Sequence, residues 1–218
     1  MSTQATRLAV FFSGGGTTLQ NFIDRIGEGT LPARIEWTLS SQPGAGGIQR
    51  AERAGLRCVV VSRNDYDSHN SFSEAVNDEL GKRPVDLILL AGFMSLYLFP
   101  PEYKNRIMNI HPALVPAFCG EGMYGHHVHE AVIESGVKLT GVTVHFVDHQ
   151  YDNGPIVLQK AVPVLDTDTA DTLATRVQAV EREVYPKAVQ LFAENRLCVV
   201  RQRVKILDTG DGGEKEVS

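Results

Sequence analysis

Short apolar runs along this chain alternate with longer stretches whose apolar residues recur every three or four positions. The first pattern predicts buried strands, the second amphipathic helices. "RLAVFF" is such a run, and after three glycines "TTLQNFIDRIGEG" carries Leu19, Phe22, Ile23 and Ile26 at helical spacing. "RIEWTLSS" alternates as a strand, "GGIQRAERAG" reads as a helix stopped by Gly55, and "LRCVVVS" reads as the next buried strand. "SHNSFSEAVNDELGK" opens on cap-type residues and sets Phe72, Val76 and Leu80 on one helical face.

"VDLILLAGF" is almost continuously apolar, the pattern of a central parallel strand covered on both faces. "RIMNIHP" predicts a shorter strand and "HEAVIESG" a helix, while "GVTVHFVD" and "IVLQKAVPV" predict two strands joined by the turn "HQYDNGP". A long helix begins near "DTDTADTLATRVQAVEREVYPKAVQLFAENR", and "LCVV" closes as a last strand. The alternation predicts an α/β fold with a mostly parallel central sheet, helices on both faces and a C-terminal antiparallel extension. The polar, glycine-bearing segment 205–218 reads as a loose tail.

Composition narrows the partners. With 218 residues, 43% hydrophobic, the chain can bury a core without disulfide or metal. A net charge of −5 supplies no basic field for nucleic acid or a membrane surface. Three scattered cysteines with no Cys-x-x-Cys pair suggest neither a disulfide framework nor a structural zinc site. "MSTQATRLAVFF" lacks the features of a secretion signal, and no apolar stretch reaches the roughly 18 residues of a membrane span, so a cytoplasmic location is expected.

Two features carry chemistry. In "FFSGGGTTLQ", Gly14, Gly15 and Gly16 lie between a strand and a helix. Such a turn brings backbone close to a ligand and aims the free N–H groups of the helix outward, an anion site suited to a phosphate monoester. Thr17 and Thr18 add hydroxyls. A P-loop would need Gly-Lys-Ser/Thr. The dinucleotide pattern fails at Leu19 and lacks an acidic residue after the second strand. A glycine turn that only makes room for packing is the alternative.

The second feature is "MNIHPALVP". In an extended segment Asn109 and His111 share a face with Ile110 opposite, and Pro112 ends the ladder. In open sheets ligands sit at the carboxyl ends of strands, which is where this pair falls. Amide and imidazole donors suit a carbonyl oxygen that becomes an oxyanion in acyl transfer. A charged imidazole near neutral pH needs a carboxylate, and the turn "HQYDNGP" offers Asp152. Residue types alone leave open a hydrogen-bonded buried histidine and a turn-forming aspartate. His145 shares a strand face with Thr143, opposite Val142, Val144 and Phe146, and both are read as supporting residues. His126, His127 and His129 in "GHHVHE" are read as polar residues at a helix start, and no metal is expected.

The segments "SGGGTTLQNF", "LILLAGFMSLY", "MNIHPALVP", "GVTVHFVD", "DNGPIVLQKAVPV" and "RVQAVEREVYP" come in the order and spacing of the phosphoribosylglycinamide formyltransferases. The chain resembles these folate-dependent enzymes of purine synthesis from about Leu8 to Val200. The resemblance implies a Rossmann-like formyltransferase domain over 1–204, with a phosphate-binding half at about 1–105 and a catalytic, folate-side half at about 106–204. It implies formyl transfer from 10-formyltetrahydrofolate, as co-substrate, to glycinamide ribonucleotide, by a monomer or homodimer. Asn109 would bind the formyl oxygen, His111 would donate the proton, and Asp152 would raise the basicity of His111. The backbone at Gly16, Thr17 and Thr18 would hold the phosphate, with Glu181 at the ribose hydroxyls and Gln178 one turn away near the phosphate. Met94, Ser95, Leu96 and Tyr97 would line the folate pocket through backbone groups, beside Asn109. Ser95 stands where relatives often carry Arg, and His69 falls near another basic position, both on the folate side. "AFCGEGMYGHH" reads as a longer variant of a cleft lid. The rival with a similar triad is formyltetrahydrofolate deformylase, whose added N-terminal domain would find no room before a strand starting by Arg7. Methionyl-tRNA formyltransferase shares the core but carries a C-terminal domain and a basic surface.

Overall fold

Every apolar run named above forms a strand, and every amphipathic stretch a helix. The computed structural model describes residues 5–208. Its first half runs β1 (Thr6–Phe12), α1 (Thr17–Gly27), β2 (Ala33–Ser40), α2 (Gly46–Arg53), β3 (Cys58–Val60), α3 (His69–Lys82) and β4 (Leu87–Leu90). The second half runs β5 (Ile107–His111), α4 (His126–Ser135), β6 (Leu139–Phe146), β7 (Ile156–Pro163), α5 (Ala170–Ala193), β8 (Leu197–Val200) and β9 (Arg203–Ile206). All nine strands among the described residues join one sheet in the order β3-β2-β1-β4-β5-β6-β7-β9-β8. Pairing is parallel from β3 through β5, then antiparallel from β5 to β6 and from β6 to β7.

The inner strands are apolar on both sides because both faces are covered. In β1, Leu8, Val10 and Phe12 pack with residues of α1, α2, α4 and α5, while Ala9 and Phe11 pack with Phe72, Val76 and Leu80 of α3. Period-2 alternation places Met108 and Ile110 of β5 in the first cluster. Asn109 and His111 therefore project from the opposite face. The Tyr185 hydroxyl of α5 lies 2.8 Å from the Met108 carbonyl and 3.1 Å from that of Leu90, which fixes the long helix against the strands that bear the site.

Two expectations change. Among the described residues β3 is not a buried strand but the sheet's edge, paired only with β2, and Val60 is 43% exposed. β8 is not the last strand, since β9 pairs antiparallel with it and touches β7 through Ile156 and Arg203. Strand β9 buries little side chain and is held by main-chain pairing, so it has no hydrophobic signature. It also carries ordered structure past residue 204 to Ile206. From residue 209 on, the expected loose tail lies outside the described residues.

Candidate active site

The antiparallel pairing of β5 with β6 sets Asn109 opposite His145 and His111 opposite Thr143. Their side chains share the face turned away from Met108 and Ile110. Asp152 reaches this face from the turn between β6 and β7. That turn can close because residue 154 is glycine: a Cβ there would lie 1.9 Å from the Phe146 carbonyl oxygen. Asp152 itself has φ of 51°, a left-handed conformation tolerated by Asp more than by most residues.

The carboxylate is the hub. One oxygen accepts from the Asn109 amide at 3.2 Å, and the other accepts from the Gly120 N–H at 3.1 Å. His111 Nδ1 lies 3.4 Å from Oδ2, and His145 Nε2 lies 3.4 Å from Oδ1. His111 Nε2 donates to the Phe118 carbonyl at 2.7 Å, and His145 Nδ1 donates to that of Phe146 at 2.9 Å. The Asn109 amide is also 3.3 Å from His145 Nε2. Both N–H groups of Asn109 are thus engaged in long bonds, and an incoming oxygen must displace one of them.

Burial pushes the Asp152 carboxyl up, but hydrogen bonding to His145, the facing His111 and the Gly120 N–H outweigh it and leave it below the usual carboxylate range. For His111 the balance runs the other way. Burial pushes the imidazole down more than Asp152 and the Phe118 carbonyl pull it up, and His145 adds to the depression. The Asp152 charge favours the protonated form of His111, but burial outweighs it and the resting ring is neutral near pH 7. With its proton on Nε2, a neutral His111 turns a bare Nδ1 toward the carboxylate. A second proton makes that contact attractive.

A cavity of about 710 Å³ runs along the strand carboxyl ends and joins this cluster to the other predicted residues. Asn109, His111, Asp152 and His145 line it, as do Thr17, Thr18, Gln178, Glu181 and the segment Met94–Tyr97. Helix α1 starts at Gly16 with no side-chain cap and no acid in its first turn, which leaves its leading N–H groups free beside the cavity. Gly16 has φ of 74°, and a Cβ on it would meet the Gly47 Cα at 2.5 Å. Arg50 braces the loop, donating to the Gly15 carbonyl at 2.9 Å. Glu181 keeps some contact with solvent yet is densely surrounded, and burial, opposed only in part by Arg182, pushes its carboxyl up to about 7.

Two predicted residues sit apart from the cavity wall. Gly16 shapes the loop behind Thr17, and Thr143 is fully buried. The Thr143 hydroxyl donates to Ala113 at 2.7 Å and accepts from the Val115 N–H at 3.1 Å, tying down the chain that leaves β5. Tyr97 lines the cavity without offering its hydroxyl, which donates to Asn77 at 2.6 Å within the core. The Met94 N–H is committed to Ser13 Oγ at 2.9 Å. His69 and Ser95 both line the cavity. No group of three His, Cys, Asp or Glu among the described residues could hold a metal ion. Three participants were not anticipated from sequence: the Phe118 carbonyl, the Gly120 N–H and His129, a buried wall residue. Only His129 left a sequence signal, its helical spacing from His126.

Residues 6–189 match the formyl transferase family model. The chain is 39% identical over 201 residues to the trifunctional purine biosynthetic protein adenosine-3 of Gallus gallus, covering 91% of itself and spanning only 20% of that protein. It is 36% identical over 193 residues to phosphoribosylglycinamide formyltransferase of Haemophilus influenzae, covering 88% of itself and 89% of the relative. The solved glycinamide ribonucleotide transformylase 1 of Symbiobacterium toebii superposes with a TM-score of 0.87 at 42% identity, over 94% of this chain and 95% of that one. A formyltetrahydrofolate deformylase of Pseudomonas syringae, 24% identical with a TM-score of 0.83 over 95% of this chain and 67% of its own, shares the fold. With the family model spanning most of its length and the Asn109–His111–Asp152 cluster assembled at the strand ends, this chain belongs to the formyl transferase family.

Proposed function

We propose that this protein transfers the formyl group of 10-formyltetrahydrofolate to the amine of N1-(5-phospho-D-ribosyl)glycinamide, a step of IMP synthesis. One observation carries the reading: a single cavity joins the free N–H end of α1 to the Asn109–His111–Asp152 cluster. The first feature suits a phosphate and the second an acyl-transfer oxyanion.

In this reading the phosphate sits on the N–H groups of Thr17 and Thr18, aided by the α1 dipole. Gln178 lies near the phosphate and Glu181 meets the ribose, where a carboxyl near its midpoint at neutral pH can accept from one hydroxyl and donate to another. The folate lies against Met94–Tyr97. The substrate amine attacks the formyl carbon, and Asn109 exchanges one of its long bonds for the developing oxyanion, a contact worth about 3 kcal/mol in the transition state. His111, neutral at rest, takes the proton that the attacking nitrogen loses. The atom that takes it is Nε2, released from the Phe118 carbonyl as the resting ring proton passes to Nδ1 against Asp152. Asp152 holds the resulting imidazolium, whose Nε2–H then protonates the folate nitrogen as its bond to the formyl carbon breaks. No covalent enzyme intermediate is needed. The reading places the reaction in the cytoplasm, in keeping with the free thiols of Cys58, Cys119 and Cys198.

The test is a formyl-transfer assay with 10-formyltetrahydrofolate, run with and without the glycinamide ribonucleotide. Amine-dependent formation of the formylated nucleotide is expected. Release of formate that ignores the amine, or no reaction despite ligand binding, would overturn the proposal.

A further inference from the structure

His129 is 4% exposed, lines the main cavity and has no role in the chemistry described above. Its Nδ1 is sealed from solvent and has no hydrogen-bond partner. Its Nε2 also takes no partner among the described residues but is not sealed, so this is the ring nitrogen that meets the cavity. A buried N–H without an acceptor is rarer and costlier than a buried lone pair. The proton of the neutral ring therefore resides on Nε2, directed at the cavity. Burial, with His126 and His111 nearby, holds the imidazole below its ordinary pKa and keeps it neutral. Helix α4 begins at Gly125 without a side-chain cap, and its free first-turn N–H groups add partial positive charge that favours an oxygen ligand.

Helix α5 shows which part of a ligand would meet this donor. One stripe of α5 follows the cavity from Ala174 through Gln178 to Glu181. Just before it, Asp171 lies 3.8 Å from His126, so this end of α5 abuts α4. At the other end Glu181 shares a small pocket with Thr17, Thr18 and Asn21. The ten residue-to-residue steps from Asp171 to Glu181 span about 15 Å at the rise of an α-helix. Under the proposed function, on which this inference rests, the amine substrate runs from phosphate through ribose and a glycyl amide to the reacting nitrogen. Phosphate and ribose occupy the Glu181 end and the nitrogen reaches His111, which leaves the amide beside α4.

We infer that His129 is a specificity-determining residue for the amine substrate: its Nε2–H donates to the carbonyl oxygen of the glycyl amide. The expected signature is selective. His129→Leu should raise the KM for the glycinamide ribonucleotide about tenfold, the worth of one such bond, and leave that for the formylfolate unchanged. His129→Gln, whose side-chain amide can still donate, should stay within about threefold of wild type. Because Nδ1 bonds to nothing, His129→Leu should melt no lower than wild type, whereas a merely structural histidine would lower Tm. An analogue with a methylene in place of the glycyl carbonyl should bind wild type about tenfold more weakly, and His129→Leu should bind it no worse than wild type does.

Equal KM changes for both substrates, an unchanged KM in His129→Leu, or a variant that fails to fold would each overturn the inference. A wild-type protein that does not formylate the ribonucleotide overturns it together with the proposed function. An active wild type with an indifferent His129→Leu overturns this inference alone.

Discussion

The two ends of the cavity are built in opposite ways. The proposed anion end is local: Gly16, Thr17 and Thr18 follow one another, and the free N–H groups come with any uncapped helix start. The proposed catalytic end is assembled from distance. Asn109 and Asp152 are 43 positions apart, and further contacts come from Phe118, Gly120 and His145. The local end should tolerate side-chain change but not backbone change, because its donors are main-chain groups. The assembled end should tolerate neither loss of charge nor loss of register.

The sharpest way to break this contrast is at the hub. Asp152→Asn keeps the size, can still accept from Asn109 and can turn its NH2 to the bare His111 Nδ1, but it gives up the Gly120 N–H and removes the charge that would hold a His111 imidazolium. Turnover should fall about a thousandfold, with Tm and calorimetric affinity for the ribonucleotide near wild type. Near-normal turnover would show that the carboxylate only shapes the turn.

At the other end Gly16→Ala forces a side chain into a backbone with φ of 74° and against Gly47 Cα. Steady-state kinetics should show the ribonucleotide KM raised about thirtyfold with kcat within about threefold, and stability should drop by about 1–3 kcal/mol. A loss confined to kcat would contradict a main-chain phosphate grip.

The smallest expected effect concerns Glu181, whose folded pKa stands near 7 against an ordinary 4.5. A raised folded value means that the folded state holds the proton more tightly than the unfolded one. The associated stability is full below pH 4.5 and is lost as pH rises through 7. Wild type should therefore lose about 1–2 kcal/mol relative to Glu181→Gln between pH 5 and 8, since residual solvent contact reduces the full linkage value. Tm measured across that range for both proteins checks it, and parallel profiles would place Glu181 in a wetter setting than its packing suggests. The depressed His111 acts with the opposite sign, costing stability as pH falls below about 6.5.

Most of the fold was legible because its signals are short-range. Apolar runs marked the inner strands, and spacing marked α3 through Phe72, Val76 and Leu80. Errors came where burial does not govern pairing. β3 looked buried because its residues are apolar, yet neighbours on one side only make it an edge. β9 was missed because main-chain hydrogen bonds, not apolar side chains, recruit it to the sheet. In the site, the shared face of Asn109 and His111 followed from strand periodicity. The fuller network did not, because a carbonyl from Phe118 and an N–H from Gly120 carry no side-chain signature. The balance at His111 is hidden for a related reason: residue types reveal the neighbouring charge but not the burial that opposes it.

By itself the sequence determined the alternation of strands and helices, the glycine turn before α1 and the residue types available for acyl transfer, since periodicity and turn chemistry act over a few neighbouring residues. Only the tertiary structure decided that Asp152 meets Asn109 and His111, that Thr143 braces a loop and Tyr97 the core, and that His129 faces the cavity unpaired. Those outcomes depend on sheet register and on a backbone approach that only a glycine at 154 permits, and both are set by packing between segments far apart in the chain.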